Sequence, residues 1–179
     1  AFDYDLVVLG GGSGGLASSK EAVKYGKRVA LIDFVKPSPL GTTWGLGGTC
    51  VNVGCIPKKL MHEAALQAEQ ANELHYYGWT LKETGEPIRT HGENANLKFN
   101  WETLVERIQN NIKSSNWKYR VELRTKKVNY INAYARFVDQ HTVELEDKKG
   151  QKSQITGDKF IIATGERPKY PTDCEGALE

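Results

Sequence analysis

Apolar and polar positions alternate along the chain in a way that lays out its elements. Residues 6–9 form a short continuous apolar run ending in glycines, the pattern of a strand buried on both faces. Small residues with Leu16 and Val23 then suit a helix over 13–25, stopped by Gly26. A second strand follows at 28–33, so the chain opens with a strand–helix–strand unit of about thirty residues. A Pro- and Gly-rich loop covers 35–49. After it Ile56, Leu60, Met61, Ala64, Ala65, Ala68 and Leu74 recur at helical spacing up to Gly78. Residues 82–98 are polar and patternless and read as a surface loop. Asn100 is placed to cap a helix with a buried face of Trp101, Leu104, Val105, Ile108 and Ile112. Short strands at 128–133, 134–138, 142–146 and 153–156, the last after a turn at 147–150, predict a small antiparallel meander. A further buried strand is expected at 159–164. The fold class is α/β: a Rossmann-like domain with a central parallel sheet and an antiparallel β-meander.

Composition narrows the function classes. With 24 Lys+Arg against 22 Asp+Glu, the net charge of +2 argues for neither nucleic acid nor an anionic membrane as partner. No apolar run has the length to cross a bilayer. Three cysteines in 179 residues are too few for a secreted disulfide scaffold, and no basic-then-apolar leader precedes the first strand. The expectation is a soluble, cytoplasmic protein, with mitochondria as the alternative.

Gly10, Gly12 and Gly15 make a G-x-G-x-x-G turn between a strand and a helix, and Asp33 ends the second strand. Gly10 serves the tight turn, Gly12 lets backbone approach a pyrophosphate, and Gly15 allows close helix–strand packing. The helix N-terminus offers N–H groups to phosphates. Asp33 is expected to accept hydrogen bonds from ribose hydroxyls. The turn alone does not choose between dinucleotides.

Cys50 and Cys55 lie in Gly47-Gly48-Thr49-Cys50-Val51-Asn52-Val53-Gly54-Cys55-Ile56-Pro57-Lys58-Lys59. Five residues of regular helix rise about 7.5 Å, beyond the usual Cα separation of about 4.4–6.8 Å in a disulfide. Bridging therefore needs a break in the helix, which Gly54 permits. Pro57 suits the first turn of the helix that follows. Cys55 then falls near a helix N-terminus with Lys58 and Lys59 close by, and both features favour a thiolate. No second cysteine pair or paired histidines support zinc, and no metal site is expected. Cys174, in a polar tail, reads as an ordinary surface thiol.

The segment from Gly47 to Lys59 resembles the redox-disulfide motif of the pyridine nucleotide–disulfide oxidoreductases. The glycine turn and Ala163-Thr164-Gly165 match that family's other landmarks in its FAD domain. Lipoamide dehydrogenases resemble this stretch but usually carry Ser where Lys58 stands. Glutathione reductases share both lysines but usually lack anything like Trp44-Gly45-Leu46. The run through Pro39-Leu40-Gly41-Thr42 to Trp44, with Leu60-Met61-His62 and Gly165-Glu166-Arg167-Pro168, is most similar to large-type thioredoxin reductases. It is also shared by thioredoxin–glutathione reductases, which carry a preceding glutaredoxin domain.

The resemblance implies bound FAD, NADPH as electron source with its site outside this chain, and a homodimer. Electrons would pass from NADPH through FAD to the Cys50–Cys55 disulfide and on to thioredoxin or a related disulfide substrate. Cys55 would lie against the flavin, Cys50 would be the interchange thiol, and Lys58 would approach the flavin N5 region. Gly10, Gly12, Ser13, Gly14, Gly15, Asp33, Phe34, Gly48, Thr49, Tyr134, Ala135, Thr164 and Gly165 would lie along the FAD. Residues 1–168 would be the N-terminal segment of the FAD domain and 169–179 the start of a crossover toward an NADPH domain. The family's catalytic His-Pro motif is not matched by His62, His75, His91 or His141, and a second dinucleotide turn is missing, so the chain is expected to be a fragment. The alternatives are a glutathione reductase and a non-catalytic nucleotide-binding module with structural cysteines.

Overall fold

The structure, a computed structural model, describes residues 1–167, 169–171 and 173–177. Pro168, the expected boundary, and Thr172, Leu178 and Glu179 of the expected crossover lie outside the described residues. Strand β1 (Tyr4–Leu9) is central. Its neighbours are β2 (Val29–Ile32) and β6 (Lys152–Ile162), both parallel to it, with Leu6 opposite Val29 and Lys159. Beyond β2 lies β3 (Asn129–Ile131), also parallel. Beyond β6 lie β5 (Thr142–Glu146) and β4 (Tyr134–Phe137), each antiparallel to its neighbour. The sheet thus runs β3-β2-β1-β6-β5-β4.

The continuous apolar run of β1 follows from burial on both faces. Val7 and Leu9 pack with Ala30, Ile32, Ala133, Val143 and Leu145. On the other face Val8 packs with Leu16, Val29, Leu31, Leu46, Leu123 and Val128. Each such side chain contributes about 1.5–3 kcal/mol when fully removed from water, so these two clusters hold the sheet. Helix α1 (Ser13–Ala22) supplies Leu16, then tightens through a 3-10 turn at Val23–Tyr25 into Gly26 with φ +71°. Helix α4 (Trp101–Thr125) supplies Leu123, and its Glu122 pairs with Lys20 of α1 at 2.9 Å. A short α2 (Gly48–Asn52) and a long α3 (Cys55–Glu73) lie between.

Four expectations change. Residues 129–131 do not join the meander: β3 follows α4 and returns beside β2, so it completes the parallel half. The strands expected at 153–156 and 159–164 are one strand, β6. Its first half pairs with β5 and its second with β1, and the Val7 side chain fills the place where a Cβ on Gly157 would sit. The second half is not buried throughout: Ile162 is 68% exposed, and the strand ends there, leaving Ala163 and Thr164 in the loop beyond. The apolar faces of α3 and α4 are only partly covered. Ile108 and Ile112 are buried, but Trp101 is 56% and Val105 37% exposed, and within α3 only Pro57 is buried. An open groove of about 550 Å³ runs between the two helices, bordered by Met61, Phe99 and Trp101.

Local signals otherwise hold. The Asn100 side chain accepts the Thr103 N–H at 2.7 Å and caps α4. The 82–98 segment is an irregular surface loop, pinned by Asn96, which accepts from Arg89 N–H and donates to the Pro87 carbonyl. Gly15 packs α1 onto the end of β1: a Cβ there would lie 1.8 Å from the Gly10 carbonyl oxygen and 3.3 Å from Val8. Gly15→Ala is therefore expected to cost about 2–3 kcal/mol in denaturant unfolding of the full-length protein. Gly14→Ala, whose Cβ would meet only Ala163 at 3.8 Å, should be neutral or stabilising. Equal effects would contradict this packing.

Candidate functional site

Three loops leave the C-terminal ends of the parallel strands β1, β2 and β6, and the segment leading into α2 closes over them. Ligands bind at this end of open parallel sheets because helix N-termini and adaptable loops converge there. The cleft the three loops form, open to solvent, is about 580 Å³, the size of a small-molecule site.

Gly10 turns the chain out of β1 with φ +109°, and a Cβ on it would lie 2.2 Å from the Ala163 carbonyl oxygen. Gly12 is the N-cap of α1, with no side chain capping that end, so the first N–H groups of the helix face the cavity. A second glycine turn sits on the first. Gly47 donates its N–H to the Gly11 carbonyl at 2.9 Å, and Gly48, at φ +76°, has no room for a Cβ, which would lie 2.8 Å from Gly12 Cα.

Asp33 has a task the sequence did not show. Its Oδ1 accepts the Gly11 N–H at 2.8 Å, tying the end of β2 to the turn after β1. Burial pushes its carboxyl pKa up, and the Gly11 N–H opposes that rise. Asn132 donates to the Asp33 carbonyl at 2.7 Å and holds the strand end from β3.

Of the expected cofactor residues, Gly10, Gly12, Ser13, Gly14, Asp33, Phe34, Gly48, Thr49, Tyr134, Thr164 and Gly165 line the cavity. Gly15 lies buried beneath the turn, and Ala135 faces an adjoining pocket of about 140 Å³ behind Tyr134. The reading missed two cations on the rim. Lys36 Nζ is 4.6 Å from the centre of the Tyr134 ring, and Arg167 Cζ is 5.5 Å from that of Trp44. Lys36 stands two residues beyond Phe34, and Arg167 belongs to the Gly165–Pro168 run.

Cys50 lines the cavity from α2. The helix breaks at Val53 and Gly54, as the spacing required, and restarts at Cys55. All three cysteines are free thiols, Cys50 half-buried and Cys55 exposed. Cys55 beside it, together with burial, raises the pKa of the Cys50 thiol. The N–H groups of Cys55 and Ile56, at the start of α3, pull it down. Cys55 and Lys58, expected against the flavin, do not line the cavity; of the two sulfurs only Cys50 does. Lys58 is exposed and borders a shallow pocket with Gly54, Pro57 and Met61, while Lys59 pairs with Glu63. Cys174 is exposed, as expected of a surface thiol.

The family described as pyridine nucleotide-disulphide oxidoreductase matches residues 4–179. This chain belongs to it. A thioredoxin reductase, SEP1 of Emiliania huxleyi, is 56% identical over 176 residues, covering 98% of the chain and 33% of that relative. The chain thus spans about a third of the length of the curated relative it matches. Family membership implies FAD and NADPH. The observed site fits a dinucleotide: an uncapped helix N-terminus, a glycine cradle without side chains and two rim cations suit a pyrophosphate flanked by planar groups.

Asp33 gives a pH test. Its folded-state pKa is raised, so ionising it opposes folding. That cost is absent below the unfolded value of 3.8 and grows as pH rises through the folded one. Asp33→Asn retains an acceptor for the Gly11 N–H without the charge. The cofactor-free variant should unfold at higher denaturant than wild type near pH 7, the gap closing below about pH 4. A gap independent of pH would remove Asp33 ionisation from the stability of the turn.

Proposed function

We propose that this chain is the FAD-binding and redox-disulfide part of an NADPH-dependent thioredoxin reductase. The observation that carries the reading is the position of Cys50. It lines the dinucleotide cavity from a helix whose first residue, Gly48, is seated on Gly12, and Cys55 acts on its thiol to raise its pKa. The identity to a thioredoxin reductase over nearly the whole chain supports thioredoxin as acceptor, and a homodimer belongs to the same reading.

In this reading the N–H groups of Ser13 and Gly14 hold the pyrophosphate at the start of α1, and Asp33 and Tyr134 take the adenosine end. Thr49, Thr164 and Gly165 extend the site along the cofactor toward Cys50. When bound, FAD supplies a two-electron carrier between NADPH and the disulfide. Two electrons and one proton open the Cys50–Cys55 bond to one thiol and one thiolate. The raised pKa of Cys50 supports leaving the proton on that sulfur. Cys50 is then the thiol that exchanges with the acceptor, and the α3 N-terminal N–H groups aid its ionisation when it does.

The full-length protein tests this. NADPH-driven reduction of thioredoxin should greatly exceed that of glutathione disulfide, and either Cys→Ser change should reduce it to background. Cys50→Ser should leave a Cys55 thiolate that gives a long-wavelength absorbance band with oxidised flavin, and Cys55→Ser should abolish the band. The reverse pattern of bands would exchange the roles of the two sulfurs. Preference for glutathione disulfide would overturn the choice of acceptor.

A further inference from the structure

Two asparagines 64 residues apart meet beneath the redox segment. Asn52, the last residue of α2, is only 7% exposed, and its amide uses its full capacity of two donors and two lone pairs. Oδ1 accepts from Gly45 N–H at 2.9 Å and from Asn116 Nδ2 at 3.1 Å. Nδ2 donates to the carbonyls of Gly45 at 3.0 Å and Gly48 at 2.8 Å. Asn116, in α4, donates also to the Leu46 carbonyl at 2.6 Å. It approaches so closely that a Cβ on Gly45 would lie 2.2 Å from its Oδ1.

We infer that Asn116, acting through Asn52 and the Leu46 carbonyl, is a positioning residue that sets where Cys50 lies against the cofactor cavity. The inference rests on the proposed role of Cys50 and Cys55 as the redox pair. Its geometry runs in one direction. The C-terminal half of α4 is fixed to the core by Leu123 and to α1 by the Lys20–Glu122 pair. From that support Asn116 reaches the 45–48 loop and the end of α2. The loop is seated on the dinucleotide turn through Gly47 N–H to the Gly11 carbonyl and through Gly48 on Gly12. Cys50 stands between Gly48 and Asn52, the two α2 residues held in this way, so it cannot shift without breaking one of these contacts. Neither asparagine lines the cavity.

The test uses the full-length holoenzyme with Asn116→Asp and Asn116→Ser. Asp keeps the shape but places an acceptor against the Leu46 carbonyl and Asn52 Oδ1, and Ser keeps one donor with shorter reach. Asn111→Asp, on an exposed part of the same helix, controls for added charge. One readout is the pH profile of alkylation of the Cys50 and Cys55 thiols in dithiothreitol-reduced protein, which needs no flavin turnover. The other is the rate at which NADPH opens the disulfide, per bound FAD. Asn116→Asp is expected to slow that rate about tenfold or more and to shift the Cys50 alkylation profile, at unchanged FAD content, while Asn111→Asp changes neither. Should Asn116→Asp not accumulate folded, Asn116→Ser carries the same two readouts. Wild-type values on both readouts would overturn the inference. So would a rate loss that only tracks lost FAD while the alkylation profile stays put. If NADPH fails to open the pair even in wild type, the redox reading itself fails, and an alkylation profile unmoved by the variants then sinks the positioning role as well.

Discussion

The packing of one glycine turn on another organises this molecule. Gly11 and Gly12, at the start of α1, meet Gly47 and Gly48, at the start of α2, backbone to backbone. A Cβ on Gly48 would lie 2.8 Å from Gly12 Cα, so a side chain there separates the dinucleotide turn from the helix that carries Cys50. The single hydrogen bond across it, Gly47 N–H to the Gly11 carbonyl, is worth only about 1 kcal/mol net. It cannot hold the loop alone. Leu46, 1% exposed in the cluster with Val8 and Leu31, adds about 2 kcal/mol of burial. The Asn52–Asn116 amides supply the rest by satisfying loop carbonyls that would otherwise be stranded. The apolar anchor therefore fixes the loop's depth, and the polar network fixes its orientation.

The same comparison of magnitudes decides what tunes the sulfurs. The sequence suggested Lys58 and Lys59 as the source of positive field. In the fold both are exposed, and Lys59 is already paired with Glu63 one turn on. Exposed charges are screened by water and salt. The N–H groups of Cys55 and Ile56, at the start of α3, pull the Cys50 pKa down against its net rise. The break at Val53–Gly54 thus does two things at once. It brings the cysteines within reach of each other, and it presents the new N-terminus of α3 to the first of them.

How much of this was legible depended on the range over which each signal acts. The turn at Gly10, Gly12 and Gly15, the helix stops at Gly26 and Gly78 and the cap at Asn100 are local and were read correctly. The β-strand at 129–131 was misassigned because Asn132 and Ala133 separate it so narrowly from β4 that the two resemble a hairpin; only the partner, β2, reveals otherwise. The strand expected to end at Thr156 runs on through Gly157, where β6 passes from β5 to β1. Periodicity found α3 but could not report that only Pro57 is buried. Asn52 and Asn116 carried no signal at all, because an amide on a helix looks the same whether it faces water or another amide.

Helix α4 shows why such an amide can serve as a fixed point. On its sheet-facing side exposure falls along its length: Trp101 and Val105 stand open at the groove, Ile108 and Ile112 are buried, and Leu123 is fully enclosed. Trp117 and Val121, on the outer side, stay exposed. The capped but exposed first turns lend the helix little support. Its stiffness comes from the other end, where Leu123 and Val128 join the sheet and Glu122 reaches α1. Asn116 lies within about two turns of that anchored end, closer to it than to the open one. A contact carried nearer Trp101 would move with the groove. Carried at Asn116, it relays the position of the sheet, and therefore of the turn after β1, to the cysteine that has to meet it.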